Sequence, residues 1–426
     1  MTSGDTPSSL PPSSPTGFAA RTVLLGAVLG FGLLCVLGRQ AARENHFQNF
    51  VRFMRWTAPD TKFYPTVGEM MAIIRAKTKP GQILVVVGGN SVLRGVGQSA
   101  AQVWTKVLQD ELGDGYSVVN LAFDASGITD GAAVAAEALR KEYPRQIYIA
   151  NAAPGQPPAP DGTGVYRFVF WEARAKGLLI DDPVRNAAIV ASNKNPAVRD
   201  PAPSVGPGLQ ELQIHSYLDH LFYYRDFWTT VTYERFNTVW GAYSPGPTSF
   251  LRARKMYTDP GDDRTKVSLA DRYIPANLDA EMINVRGCSE FAYGIVDATG
   301  FHEQKDPATG QWTLYQPTWT NFTEGIKGAM PAELKKRTLI LMSRSSPYYL
   351  KKLTPDEQER DTLAYDHAVE MWKAGGYDSM TYGGMDFTDF DYNDRTHLTA
   401  LGGNKLAHAV SAKVRDMSAK LGYLSP

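Results

Sequence analysis

Apolar positions in this chain follow two spacings that take turns. Ile83-Leu84-Val85-Val86-Val87 is a short β-branched run bounded by Gly81 and Gly88, the pattern of a strand buried on both faces. Trp104, Leu108 and Leu112 then recur at helical spacing and predict an amphipathic helix. Tyr116–Leu121 predicts a second strand, an Ala-rich stretch from Asp130 to Lys141 a helix, and Gln146–Ala150 a third strand. The alternation resumes late in the chain. Arg337–Met342 predicts a fourth strand, and a helix runs from Pro355 to Ala374, where Gly375-Gly376 stops it. Tyr377–Tyr382 predicts a fifth strand, and Leu406, Val410, Val414, Met417 and Leu421 form the apolar stripe of a last helix. Strands alternating with helices imply βαβ units and a parallel sheet.

Between these halves the pattern breaks. Pro154 to Pro331 is rich in Pro and Gly and shows no βα repeat, so it reads as a large, partly helical insertion. Within it, Ile214 to Trp240 is dense in aromatics. Ordinary packing onto the core explains them; a lid or a surface for a membrane or partner is the other reading. The organisation that follows is a core first half at 81–154, an insertion at 155–330 and a core second half at 331–426.

The N-terminal part is different again. Residues 1–21 are rich in Ser, Pro, Thr and Gly, too poor in apolar surface to offset ordering entropy, and read as a disordered tail. Thr22 to Gly38 carries no charge and sits at the short end of what spans a bilayer. Its lack of a polar face argues against a buried core helix. Gly38-Arg39-Gln40 is a poor cleavage site for a signal peptide. A single uncleaved membrane anchor at 22–38 is therefore expected, with residues 39–80 as a connector that includes a helical pattern near Val67 to Ala76. Arg39, Arg43, Arg52 and Arg55 follow the span while Arg21 alone precedes it, which favours a cytoplasmic body.

Composition adds exclusions. Hydrophobic residues make up 43% of the 426, enough for a substantial core. Lys+Arg and Asp+Glu are both 44, so nothing points to nucleic acid as a partner. The two cysteines, Cys35 and Cys288, are too few for a zinc ribbon or a CxxC site. Cys35 lies in the uncharged stretch, so no internal disulfide is expected.

The loop after the first strand, Gly88-Gly89-Asn90-Ser91, is the place for chemistry in an open α/β sheet, because ligands bind at the carboxyl ends of the strands. Gly88 and Gly89 allow a sharp turn, and Ser91 then stands near a helix N-terminus whose N–H groups can stabilise an oxyanion. Serine needs a base to take its proton. Of seven histidines, His397 is the candidate, because Asp394 lies three residues upstream and a turn can fold its carboxylate back to the imidazole. His215, His220, His302, His367 and His408 read as structural or solvated. Asp386, Asp389 and Asp391 read as loop carboxylates, with no metal-ligand spacing. Gly95-x-Gly97-x-x-Ala100 echoes a dinucleotide fingerprint but starts too far past the strand. No metal or cofactor is expected.

These segments resemble the blocks of the SGNH/GDSL hydrolases. Gly89-Asn90-Ser91 with Gly95 is similar to the first block, with Asn90 where Asp is usual; Asn120 through Ser126-Gly127 is similar to the second. Asn151 takes the place of the third block's asparagine without its flanking Gly-x-Asn-Asp pattern, and Asp394-x-x-His397 with Leu398 and Gly402 is similar to the last. The resemblance implies a three-layer α/β/α, flavodoxin-like domain with five parallel strands. It also implies a catalytic Ser91, His397 and Asp394, and an oxyanion hole formed by the N–H groups of Ser91 and Gly127 and the side chain of Asn151. An anchored body with a large insertion resembles bacterial proteins that O-acetylate alginate or transfer D-alanine to teichoic acid. That implies an acylated glycan as substrate, a membrane-bound O-acyltransferase as partner, and a body outside the inner membrane, against the charge bias. Acyl transfer and ester hydrolysis are both open, and so are a non-catalytic glycan-binding scaffold and a lipid esterase.

Overall fold

The computed structural model describes residues 16–43, 67–193, 278–295 and 305–424, apart from 97, 99–101, 124–125, 164–166 and 383–384. The aromatic-rich stretch Ile214 to Trp240, with His215, His220 and His302, lies outside the described residues, as do 44–66 and the side chain of Cys35. Helix α1 (Thr16–Arg43) leads to α2 (Val67–Lys77), β1 (Ile83–Val87), α3 (Ser91–Arg94), α4 (Trp104–Leu112), β2 (Tyr116–Asn120), α5 (Gly131–Ala138) and β3 (Gln146–Ala152). The insertion contributes α6 (Arg167–Ala175), α7 (Pro183–Asn193), α8 (Leu278–Tyr293) and α9 (Gln316–Ala329). The second half holds α10 (Ala332–Lys335), β4 (Thr338–Met342), α11 (Pro347–Leu350), α12 (Pro355–Ala374), β5 (Asp378–Thr381) and α13 (Ala400–Lys420).

The five strands form one parallel sheet in the order β2-β1-β3-β4-β5, a doubly wound order. The apolar runs are continuous because the sheet divides two cores. Leu84, Val86, Tyr148, Ala150, Ile340 and Met342 face one, packed by residues of α2, α5, α9 and α12. Ile83, Val85, Val87, Ile147, Ile149, Leu339 and Leu341 face the other, packed by α4 and α13. Period-2 alternation thus sends successive side chains to opposite helical layers, and the result is a three-layer α/β/α fold. Trp372 on α12 is fully buried, its ring edge-on to Phe322 and Tyr377.

Element boundaries follow local chemistry. Thr354 and Glu357 form a capping box at the start of α12, and the helix ends where Gly375 and Gly376 donate back to Met371 and Lys373. The stripe foreseen on α13 is buried at Leu406, Val410, Val414 and Met417. Helix α1 starts at Thr16, inside the segment read as a tail. Phe31 packs against the core, whereas Val23, Leu24, Leu25, Val28, Leu29, Leu33 and Val36 are exposed. Among the described residues no helix is long and apolar enough to cross a membrane. The uncharged run lies within α1, and several of its later side chains fall outside the description.

Gly402, on the first turn of α13, lies against Asp391, and a Cβ there would overlap the Asp391 carbonyl oxygen. Backbone cannot move aside as a flexible side chain can, so Gly402→Ala is expected to cost about 1–3 kcal/mol. A lower urea midpoint at unchanged m-value is the reading that checks it.

Candidate active site

The sheet order places β1 between β2 and β3, so the loops leaving β1 and β3 part company at the switch point where α/β folds bind ligands. Ser91 leaves β1 there. Gly89 has φ of +84°, and a Cβ on it would collide with the Asn151 Oδ1 atom; glycine is required by both conformation and space. Asn90 caps α3, its Oδ1 accepting from Val92 N at 3.0 Å. Ser91 is thereby the first residue of a helical turn, where its own N–H has no intrahelical acceptor.

At the other end of the chain, Asp394 and His397 sit in a tight loop closed by a bridge between Tyr392 and Leu398 and by Asn393 N donating to His397 O at 2.7 Å. The Asp394 Oδ1 atom accepts from Thr396 N at 2.9 Å and His397 N at 2.8 Å. Its Oδ2 atom accepts from His397 Nδ1 at 2.7 Å. His397 Nε2 lies 2.8 Å from Ser91 Oγ. Because the carboxylate faces Nδ1, the imidazole proton belongs there, and Nε2 presents its lone pair to the serine hydroxyl. Burial pushes the Asp394 carboxyl up, but the hydrogen bonds and charge of His397 and the two backbone N–H groups outweigh it, bringing it down to about 2. Hydroxyl, imidazole and carboxylate so form one hydrogen-bonded chain across residues that the sequence separates by 306 positions.

The other proposed oxyanion donors are placed differently. The Gly127 N–H is taken by the Asp130 carboxylate, which also accepts from Thr163 N at 2.7 Å and Thr163 Oγ1 at 2.6 Å. Asp130 is buried, and burial pushes its carboxyl up against those bonds. In this conformation Gly127 does not offer its N–H to a substrate oxygen, because the Asp130 side chain already occupies it. Asn151 likewise spends its amide on protein. Its Oδ1 accepts from Asn90 N at 3.0 Å, and its Nδ2 donates to Asn90 Oδ1 at 2.8 Å and Ser343 Oγ at 3.2 Å. The two backbone donors, Asn90 N and Val92 N, fix which way both amides point. Asn151 therefore holds the serine loop rather than facing it with a free donor.

Gln98 and Ser343, which the sequence reading did not single out, and Asp391, which it read as a loop carboxylate, complete the frame. Buried Gln98 donates through Nε2 to Thr399 O at 3.2 Å and accepts from Trp104 N at 2.8 Å, joining the serine side of the site to the start of α13. Ser343, after β4, receives Asn151. Asp391 accepts from Thr388 N at 2.6 Å and Lys405 Nζ at 2.8 Å, fixing the loop before Asp394. Asn90 entered the sequence reading only as part of the Gly-Asn-Ser block, although an Asn just before a helix is a capping signal; Gln98 carried no signal. Asn120 supports the fold, donating to Leu93 O at 3.2 Å and accepting from Ala122 N at 3.0 Å. His367 packs edge-on to Trp319, and His408 is exposed near Glu111.

Asn151→Ala removes both contacts to Asn90 and frees the serine loop. A displacement of about 1 Å is enough to cost about 10²-fold in rate. We expect kcat to fall by about that factor on a small activated ester, and a stopped assay of wild type beside variant checks it.

Compared with known proteins, the chain matches no family model and no curated protein sequence.

Proposed function

We propose that this chain is a serine-dependent esterase or O-acyltransferase that works through an acyl-serine intermediate. The observation that carries the reading is the continuous Ser91–His397–Asp394 hydrogen-bonded chain at the switch point of the sheet. Its four segments, in SGNH/GDSL order, lend it further support. His397 Nε2 takes the Ser91 proton as Oγ attacks an ester carbonyl, and the carbonyl electron pair moves onto oxygen. The Ser91 N–H faces that oxyanion. The Gly127 N–H joins it once the Asp130 carboxylate lets go. Collapse breaks the ester C–O bond, and the imidazolium returns its proton to the departing alcohol. Water or a sugar hydroxyl then gives its proton to His397 and attacks the acyl carbonyl; the bond to Ser91 Oγ breaks, Ser91 takes the proton back from His397, and hydrolysis or transfer is complete.

The substrate class proposed is an acylated cell-envelope polysaccharide, with a membrane-bound O-acyltransferase supplying acyl groups where transfer is the outcome. Support for it is the resemblance to envelope-acylating proteins and the exposed apolar side chains of the uncharged run 22–38 within α1, taken as a membrane anchor with the body outside the bacterial inner membrane. Purified protein incubated with O-acetylated polysaccharide is expected to release acetate, or to move it to an added glycan, and Ser91→Ala is expected to do neither. Turnover confined to micellar lipid esters would instead identify a lipid esterase.

One observation favours a second reading. With the Gly127 N–H bound to Asp130 and the Asn151 amide bound to Asn90 and Ser343, a non-catalytic scaffold that binds glycan needs no rearrangement of the site. Glycan binding by folded protein in which Ser91 reacts with no electrophile would select that reading.

A further inference from the structure

We propose that the insertion takes part in the chemistry through a single ion pair, in which Glu281 on α8 holds Arg395 and thereby positions His397 against Ser91; this rests on Ser91 being the nucleophile. Arg395 lies inside the turn that carries the site, between Asp394 and His397. Its side chain leaves the turn and reaches the insertion, where Nε donates to Glu281 Oε2 at 2.9 Å. Its carbonyl oxygen accepts from Ser346 N at 2.8 Å, after β4. The turn is thus held from the sheet through its backbone and from the insertion through this side chain.

Helix α8 is a firm support for that grip. Met282 and Val285 are buried in the core that includes Tyr349, Tyr392 and Leu398, the last two being the ends of the loop itself. Arg286 Nε donates to Glu357 Oε1 at 2.8 Å, and Arg360 on α12 reaches buried Ser289 at 3.5 Å. Within the loop, Asp394 and His397 hold one another through two contacts, and Thr396 N adds a third bond to the carboxylate. The bond from Nε2 to Ser91 is different, because it crosses between two loops and depends on where each is placed.

Energetics separate this role from a merely structural one. The Arg395 and Glu281 side chains are 28% and 32% exposed. A pair so open to water contributes little to folding stability. Placement is less forgiving, because a shift of about 1 Å between reacting groups can cost about 10²-fold in rate. Glu281 and Arg395 are positioning residues in this scheme, and neither needs to touch the substrate.

The test uses the full chain and p-nitrophenyl acetate as the probe. Glu281→Gln and Arg395→Gln are each expected to lower kcat by about 10–100-fold. KM stays within about twofold and the urea midpoint is unchanged, since the loss is of alignment rather than binding or folding. The Glu281→Gln/Arg395→Gln double variant is expected to be no slower than either single variant, as for two residues acting through one contact. Arg395→Lys, which keeps the charge, is expected to recover part of the rate. If the wild type turns over the ester through Ser91 and Glu281→Gln matches it, or if the two losses multiply, the ion-pair role is overturned alone. If Ser91 in the wild type reacts with neither ester nor fluorophosphonate, the serine reading fails and takes this inference with it.

Discussion

Ser91→Ala is expected to remove turnover, lowering kcat by about 10⁴–10⁶ while leaving the fold in place. The hydroxyl is the atom that becomes acylated, and nothing beside it can substitute for that bond. It does little for stability. Ser91 is half-buried, its Oγ contacts His397 Nε2, and the turn around it is held by Asn90, Asn151 and Gly89. Replacing His397 by alanine is expected to cost nearly as much, and the double variant hardly more than either, because the two act as one unit. Initial rates on an acetylated glycan or an activated ester, with urea unfolding run in parallel, check both halves of this expectation.

Asp394→Asn comes next, with an expected loss of about 10⁴ in kcat. The carboxylate does two things an amide cannot. It keeps the imidazole proton on Nδ1, leaving Nε2 free to take the serine proton, and it stabilises the imidazolium that results. Hydrogen bonds from His397 and Thr396 hold this carboxyl near 2 despite its burial. It is therefore ionised throughout the range above about pH 4, and its titration does not shape the activity profile there. The stability consequence has a definite sign. A carboxyl depressed in the folded state contributes stability above its unfolded value, near 3.9, and loses it as pH falls toward about 2. Wild type is expected to lose stability relative to Asp394→Asn across that acid window and not above it. Urea midpoints at a series of pH values measure the difference.

How much of this was legible beforehand depended on how local each determinant is. The strands could be read because burial on both faces demands unbroken apolar runs, as in Ile83–Val87 and Thr338–Met342. Helix α12 showed its ends through Pro355 and Gly375. Ser91 and the Asp394-x-x-His397 turn could be read because each is a short motif at the edge of such an element. Their meeting belongs to the fold, since it depends on the packing of α4 against α13 and on Gln98 bridging the loops.

Gly127 and Asn151 were placed by position along the chain, and position alone carries no information about which partner a donor has found. Asp130 lies three residues past Gly127, yet its role depends on Thr163, which approaches from the loop after β3. Asn151 lies within β3, and its amide turns to Asn90 because Gly89 leaves room for the approach. The Glu281–Arg395 pair joins an insertion helix to the last loop, with no periodicity or motif to announce it. Contacts between distant segments follow from three-dimensional packing, and a charge pattern along one segment does not disclose them.

The proposed chemistry requires a nucleophilic Ser91 that His397 activates. Intact-mass spectrometry after treatment with a fluorophosphonate tests this most directly. One adduct per chain is expected, mapped to Ser91 by peptide sequencing, absent from Ser91→Ala and formed far more slowly in His397→Ala. An unmodified wild-type chain, or an adduct on another residue that persists in Ser91→Ala, would contradict it.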